Sequence, residues 1–243
     1  MTEDRRNINE ARAWNKISSP DIVCFLVPTS PLACDCVDYM ALGTKSFSKH
    51  VLKRPQGGNQ DGQPSDHAIA LRLSSQLRDP LKGFKFGRHA DHCDIVFAGN
   101  RLIKKDPMLS LEHFRIFLDE ASGAPVLQDH SAYGTIVDGE HLVPCGDGGP
   151  LSRPVEERSG RRTLRDGSVI ELKLSPLRTV LTFSVRFPLH RTVEHAELYE
   201  SNLRAYRKRV AAFAAEKKEF ETVVLSKQVC MVAQLAVLIF GLR

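Results

Sequence analysis

Between positions 21 and 188 the chain returns again and again to short runs in which apolar and polar residues alternate. That period of two constrains the fold more than any other feature, because successive side chains of a strand point to opposite faces of a sheet. The runs are DIVCFLVPTS at 21–30, AIALRLSS at 68–75, GFKFGR at 83–88, CDIVF at 93–97, HFRIFLDE at 113–120, APVLQDHS at 124–131, GTIVDG at 134–139, SVIELKL at 168–174 and RTVLTFSVRF at 178–187. In the last, Leu181, Phe183, Val185 and Phe187 oppose Val180, Thr182, Ser184 and Arg186; in the second, Ala68, Leu71 and Leu73 oppose Arg72. Many short strands separated by Gly, Pro and Asp clusters predict an all-β sandwich or barrel.

Two stretches interrupt the strands. KRPQGGNQDGQPSD at 53–66 and CGDGGPLSRPVEERSGRR at 145–162 are rich in glycine, proline and polar residues and are expected to be mobile loops. From about 193 the period changes: Tyr199, Leu203, Tyr206, Val210, Phe213, Phe220 and Val224 recur at spacings of three and four, with Lys217 in the one gap. This predicts a long amphipathic helix that docks on the sandwich or pairs with a neighbour. The run from 229 to 242 has 14 residues and contains Gln234, short of the roughly 20 apolar residues of a membrane span, so no span is expected. The expected organisation is an N-terminal flank at 1–20, a β domain at 21–190, the helix at 191–228 and an apolar tail at 229–243.

Charge and cysteine usage narrow the function. The net charge of +5 suits acidic or phosphorylated partners but is too small and scattered to argue for nucleic acid. Arg204, Arg207, Lys208 and Arg209 form the densest basic cluster. The cysteines at 24, 34, 36, 93, 145 and 230 lack a zinc-ligand rhythm, and no cofactor or metal is expected. The charged N-terminus carries no apolar signal core, so reduced thiols and a nuclear or cytoplasmic setting are the expectation.

Four pieces then occur in order: Gly87-Arg88; Ser110-Leu111-Glu112-His113-Phe114; Asp129-His130-Ser131-Ala132-Tyr133-Gly134-Thr135; and Leu164-Arg165-Asp166-Gly167-Ser168-Val169-Ile170. Their order and spacing resemble the forkhead-associated (FHA) family, with its Gly-Arg, Ser-x-x-His, Asp-x-Ser-x-Asn-Gly-Thr and Leu-x-x-Gly-Asp-x-Ile pattern. The resemblance covers roughly 80–187, and the flanks are similar to the N-terminal FHA regions of fungal checkpoint-type serine/threonine kinases. It implies an FHA/SMAD-like antiparallel sandwich of two twisted sheets, followed here by the C-terminal amphipathic helix, and a phosphothreonine-peptide partner in intracellular phospho-signalling.

What the resemblance implies is physically coherent. Phosphothreonine carries about −1.5 to −2 charge and three acceptor oxygens, so its receptor needs a guanidinium and short donors on loops over a rigid scaffold. Arg88 would supply the donor fork and Ser110 a hydroxyl, while Leu111, Ala132 and Tyr133 would contact the peptide. Gly87, His113, Ser131, Gly134 and Thr135 would be framework. The chain departs from the pattern where Tyr133 replaces the family's peptide-clamping Asn, where Ala132 replaces a small hydroxylic residue, and where Leu111 and Glu112 follow Ser110. Two lost clamp hydrogen bonds at ~0.5–1.5 kcal/mol each amount to about a ten- to hundredfold loss of affinity.

Three function classes stay open on the residues alone. The first is a phosphopeptide-binding module. The second is the regulatory N-terminal part of a protein kinase. The third is a degenerate FHA fold used for homo-oligomerisation through the 193–224 helix. No Gly-x-Gly-x-x-Gly loop, His-Arg-Asp, Asp-Phe-Gly or Gly-x-Ser-x-Gly elbow occurs within these residues, so catalysis is not expected of them.

Overall fold

The computed structural model describes residues 19–43, 48–53, 65–97, 108–142, 160–174, 179–189 and 192–240, with backbone alone at 179, 226, 227 and 229–240. Twelve strands and two helices follow along the described chain: β1 (Ile22–Pro28), α1 (Pro31–Leu42), β2 (Val51–Lys53), β3 (His67–Arg72), β4 (Phe84–Gly87), β5 (Ile95–Val96), β6 (Phe114–Leu118), β7 (Pro125–Asp129), β8 (Thr135–Val137), β9 (Glu140–Leu142), β10 (Arg161–Thr163), β11 (Val169–Leu174), β12 (Thr179–Arg186) and α2 (Val193–Phe240). They form two sheets, one ordered β2-β3-β1-β12-β11-β8-β9 and the other β10-β7-β6-β4-β5. Neighbours are antiparallel except β4 and β5, where Phe86 lies beside Ile95 in parallel register.

The alternating pattern of β12 is resolved as expected: Leu181, Phe183 and Val185 are fully buried and form one inward face. β1 differs because it is central. Flanked by β3 and β12, it is buried at all seven positions. Its residues Cys24 and Leu26 join the main core, whereas Ile22, Phe25 and Val27 join Ala68 and Ala70 in a second cluster. The two sheets meet through an aromatic chain. Phe114 stacks on Phe86 with centroids 4.5 Å apart, Phe86 lies 6.0 Å from Phe97, and Phe97 lies 5.8 Å from Phe183 of the facing sheet. Offset ring contacts of this kind add to the apolar burial that holds a sandwich together.

Several features were not anticipated. α1 sits between the first two strands, capped by Ser30, whose Oγ accepts from Ala33 N (3.3 Å) and Thr182 N (3.0 Å) and donates to Val180 O (2.8 Å). One hydroxyl thus starts the helix and fixes it to β12. Ala33, Cys36, Val37 and Met40 bury its inner face. The loop boundaries also shift. Lys53 belongs to β2, Ser65 bonds Asp38 at 2.8 Å, and Arg161 and Arg162 lie in β10, paired with β7. Residues 54–64 and 145–159 of the expected loops, Cys145 among them, and the N-terminal flank to residue 18 lie outside the described residues. No helical break separates residue 228 from the apolar run; α2 continues to Phe240.

α2 docks as the three-and-four spacing predicts. Leu203 and Tyr206 are buried in the core, with Tyr199 and Val210 packed against it. Asn202 Nδ2 donates to Pro20 O at 3.1 Å, and Arg209 Nη2 donates to Leu73 O. Among the described residues no helix is long and apolar enough to cross a membrane, and no cluster of His, Cys, Asp and Glu is arranged to hold a metal ion.

Candidate functional site

The site begins where β4 ends. Gly87 is needed for a close approach: a Cβ added there would fall 2.2 Å from Leu111 O and 2.9 Å from Cys93 Sγ. With no side chain in the way, the segment after β4 ties to the 108–113 loop. Arg88 N donates to Ser110 O (3.2 Å), His89 N and the Cys93 thiol donate to Leu111 O (3.4 and 3.0 Å), and His113 N donates to Phe86 O (2.7 Å). Burial pushes the Cys93 thiol up to about 12, so it serves as a neutral donor and not as a thiolate.

His113 braces this loop. Its ring is fully buried, and Nδ1 accepts from Ser110 N at 3.2 Å, which places the proton of the neutral ring on Nε2. Burial lowers its pKa to about 4, the Gly134 backbone opposing weakly without meeting hydrogen-bond geometry at Nε2.

The second loop, after β7, folds around Asp129. Oδ1 accepts from Ser131 N (3.4 Å), Ser131 Oγ (2.9 Å) and Thr135 Oγ1 (2.6 Å), and Ser131 Oγ in turn accepts from Gly134 N (2.7 Å). Burial raises the Asp129 pKa against these hydrogen bonds. Gly134 takes φ +85°, and a Cβ there would lie 2.2 Å from His141 Nε2. That ring nitrogen lies 3.0 Å from Tyr133 O.

The two loops meet where His130 N donates to His113 O at 2.9 Å and where Ala132 N donates to Ser110 Oγ at 3.1 Å. Arg88, Ser110, Leu111, Ala132 and Tyr133 therefore share one end of the sandwich, with Leu111, Ala132 and Tyr133 exposed. Gly87, His113, Ser131, Gly134 and Thr135 are buried beneath them. Arg88 is half-buried, makes no ion pair among the described residues, and its buried Nε has no hydrogen-bond partner among them. Glu112, which sequence reasoning set beside the site, pairs with Lys85 at 3.7 Å. The roles of Lys85, His89, Cys93 and His141 at this end were not foreseen. Each acts through a backbone carbonyl or a single carboxylate, and no motif advertises such contacts.

A β-sandwich whose loops at one end gather a guanidinium, a hydroxyl and exposed apolar side chains has the form of a recognition scaffold. Residues 84–173 match the FHA domain family, and over that stretch the chain carries an FHA domain. Over 92 residues, 36% of this chain, it is 32% identical to the E3 ubiquitin-protein ligase CHFR of Homo sapiens and of Pongo abelii. The match spans only 13% and 15% of those proteins' lengths. The N-terminal FHA domain of S. cerevisiae Rad53p, solved with a phosphothreonine peptide, is a structural neighbour with a TM-score of 0.33 and 20% identity, covering 56% of this chain and 90% of that one. The two curated relatives named are mammalian, and a fungal origin is not supported.

Proposed function

We propose that this chain binds phosphothreonine-containing peptides at the Arg88–Ser110 end of the sandwich and serves as an interaction module in nuclear or cytoplasmic phospho-signalling. The binding unit is taken as residues 21–190, followed by the helix. The observation that carries this reading is the pairing of a guanidinium that makes no ion pair among the described residues with a serine hydroxyl that donates to no acceptor among them. Ser110 Oγ accepts from Ala132 N, so its own proton can go to an incoming oxygen. Arg88 N is fixed to Ser110 O, which holds both side chains on one rigid frame. A dianionic phosphate would take the hydroxyl proton and engage the guanidinium fork, and hydrogen bonds of this charged kind are roughly twice as strong as neutral ones. Leu111, Ala132 and Tyr133 would line the path of the peptide backbone.

Titration of the full chain with a phosphothreonine peptide library, with the unphosphorylated library as control, tests the assignment. Phosphate-dependent binding is expected; equal binding of both libraries would overturn it.

A second reading concerns α2. Phe220 and Leu225 are 69% and 61% exposed, and among the described residues they lie beyond the last helical residue packed against the main core. The stripe continues there through Phe220 and Val224, four residues apart, which favours a second copy of this chain as the partner of that stretch.

A further inference from the structure

Two large apolar side chains stand exposed beside the Ser110–Ala132 contact, Leu111 at 46% and Tyr133 at 51%. Each follows by one residue a partner in that 3.1 Å hydrogen bond. Neither owes its exposure to a slack backbone. Leu111 O receives His89 N and the Cys93 thiol and abuts Gly87, while Tyr133 O is held by His141 Nε2 and followed by the left-handed Gly134. The carboxylate next in sequence to Leu111, Glu112, is engaged by Lys85. The site therefore presents donors at its centre and fixed apolar surface beside them. Rigid aromatic and aliphatic groups exposed next to polar anchors are the arrangement from which interfaces draw most of their energy, because little entropy is lost when they are covered.

We propose that Leu111 and Tyr133 set the sequence preference of the site, selecting phosphothreonine peptides whose flanking residues are aliphatic or aromatic. This rests on the phosphothreonine reading above. Covering roughly half of each side chain corresponds to about a tenfold gain over a peptide with Ser and Gly flanks.

The test measures fluorescence anisotropy of the full chain with two phosphothreonine peptides, one flanked by Leu and Phe and one by Ser and Gly, and with both unphosphorylated forms. The apolar-flanked phosphopeptide should bind about tenfold tighter. Leu111→Ser and Tyr133→Ser should each shrink that ratio, with melting temperatures unchanged because both side chains are on the surface. Tyr133→Asn, which supplies a polar clamp, should raise affinity for the Ser/Gly peptide and bring the ratio toward one. Phosphate-dependent binding with equal affinity for the two phosphopeptides overturns this inference and leaves the phosphothreonine reading standing. Binding that ignores phosphate in both pairs overturns both.

Discussion

The amide of Ala132 reaches Ser110 Oγ across 3.1 Å, and this contact ties the Ser110 loop to the loop that carries Ala132 and Tyr133. It also fixes how the serine is used: Oγ is the acceptor inside the protein, and its proton is the part left for a ligand. Ser110→Ala should therefore weaken phosphopeptide binding by about 1.5–3 kcal/mol, the range for a hydrogen bond to a charged group. Isothermal titration would read this as a ten- to hundredfold rise in Kd. An unchanged Kd would place the phosphate elsewhere.

Arg88 should matter more. Arg88→Ala should abolish phosphate-dependent binding, since Arg88 is the arginine whose backbone amide is tied to Ser110 O and whose guanidinium is therefore held beside the serine. Arg88→Lys should recover only part, because an ammonium is a point donor without the planar fork. The fold should survive both, because the backbone amide of Arg88, not its side chain, makes the tie to Ser110 O. Circular dichroism melting checks the fold while anisotropy checks the binding.

The glycines separate two kinds of constraint. At Gly87 the obstacle is space, since the added methyl meets backbone oxygen at 2.2 Å. At Gly139 it is conformation alone, with φ +80° and nothing within 4 Å. Gly139→Ala should cost about 1–2 kcal/mol, the usual penalty for an L residue in the left-handed region. Gly87→Ala must also push the Leu111 segment away from β4, so its loss should be larger and should carry the ligand loop with it. Urea denaturation would rank the two; equal losses would contradict the packing described at Gly87.

Acid should destabilise the fold through two buried histidines. His50 and His113 are 2% and 0% exposed, and burial lowers both to about 4 from an ordinary 6.5, helped at His50 by Lys49 and Arg72. Between those values the unfolded chain binds more protons than the folded one, so stability is full above pH 6.5 and falls as the pH drops toward 4. Two such groups amount to about 3–4 kcal/mol lost between pH 7 and pH 5. Asp129, whose pKa is raised, works in the opposite direction and is felt at the acid end of the range. Denaturation midpoints across pH 5–7 should show the slope, and His113→Gln should flatten it by about half.

The sandwich was legible because its strands alternate and because four motif pieces keep their order. β12 shows this well, its apolar set falling on one face in the structure. α1 was missed although its signals are present in the chain: Ser30 as cap, Pro31 at the first turn, and Ala33, Cys36, Val37 and Met40 at helical spacing. Its small residues and proximity to β1 let it pass as loop. β2, β9 and β10 are three residues each, too short for any period to show. Within the site, Arg88, Ser110 and the glycines were readable from the motif. The thiol of Cys93 on Leu111 O was not, because sequence does not say which carbonyl a buried donor will meet.

The exposed end of α2 leads to the remaining prediction. At about 1.5 Å per residue, 48 helical residues extend roughly 72 Å, and among the described residues Val210 is the last helical residue packed against the main core. A helix draws most of its stability from packing of its apolar face, so the portion past Val210 needs cover from outside this copy. Tyr199, Leu203, Tyr206, Val210, Phe213, Phe220 and Val224 follow alternating steps of four and three, broken only at Lys217, which is the repeat two helices use to wrap together. Phe220, at 69% exposure, is the largest side chain of that stripe beyond the sandwich. Phe220→Glu should therefore convert a dimer of the full chain to a monomer in sedimentation equilibrium at micromolar concentration. The sandwich should melt unchanged, because Phe220 touches none of its core. A wild-type chain that sediments as a monomer across that range would remove the second copy as the partner of α2.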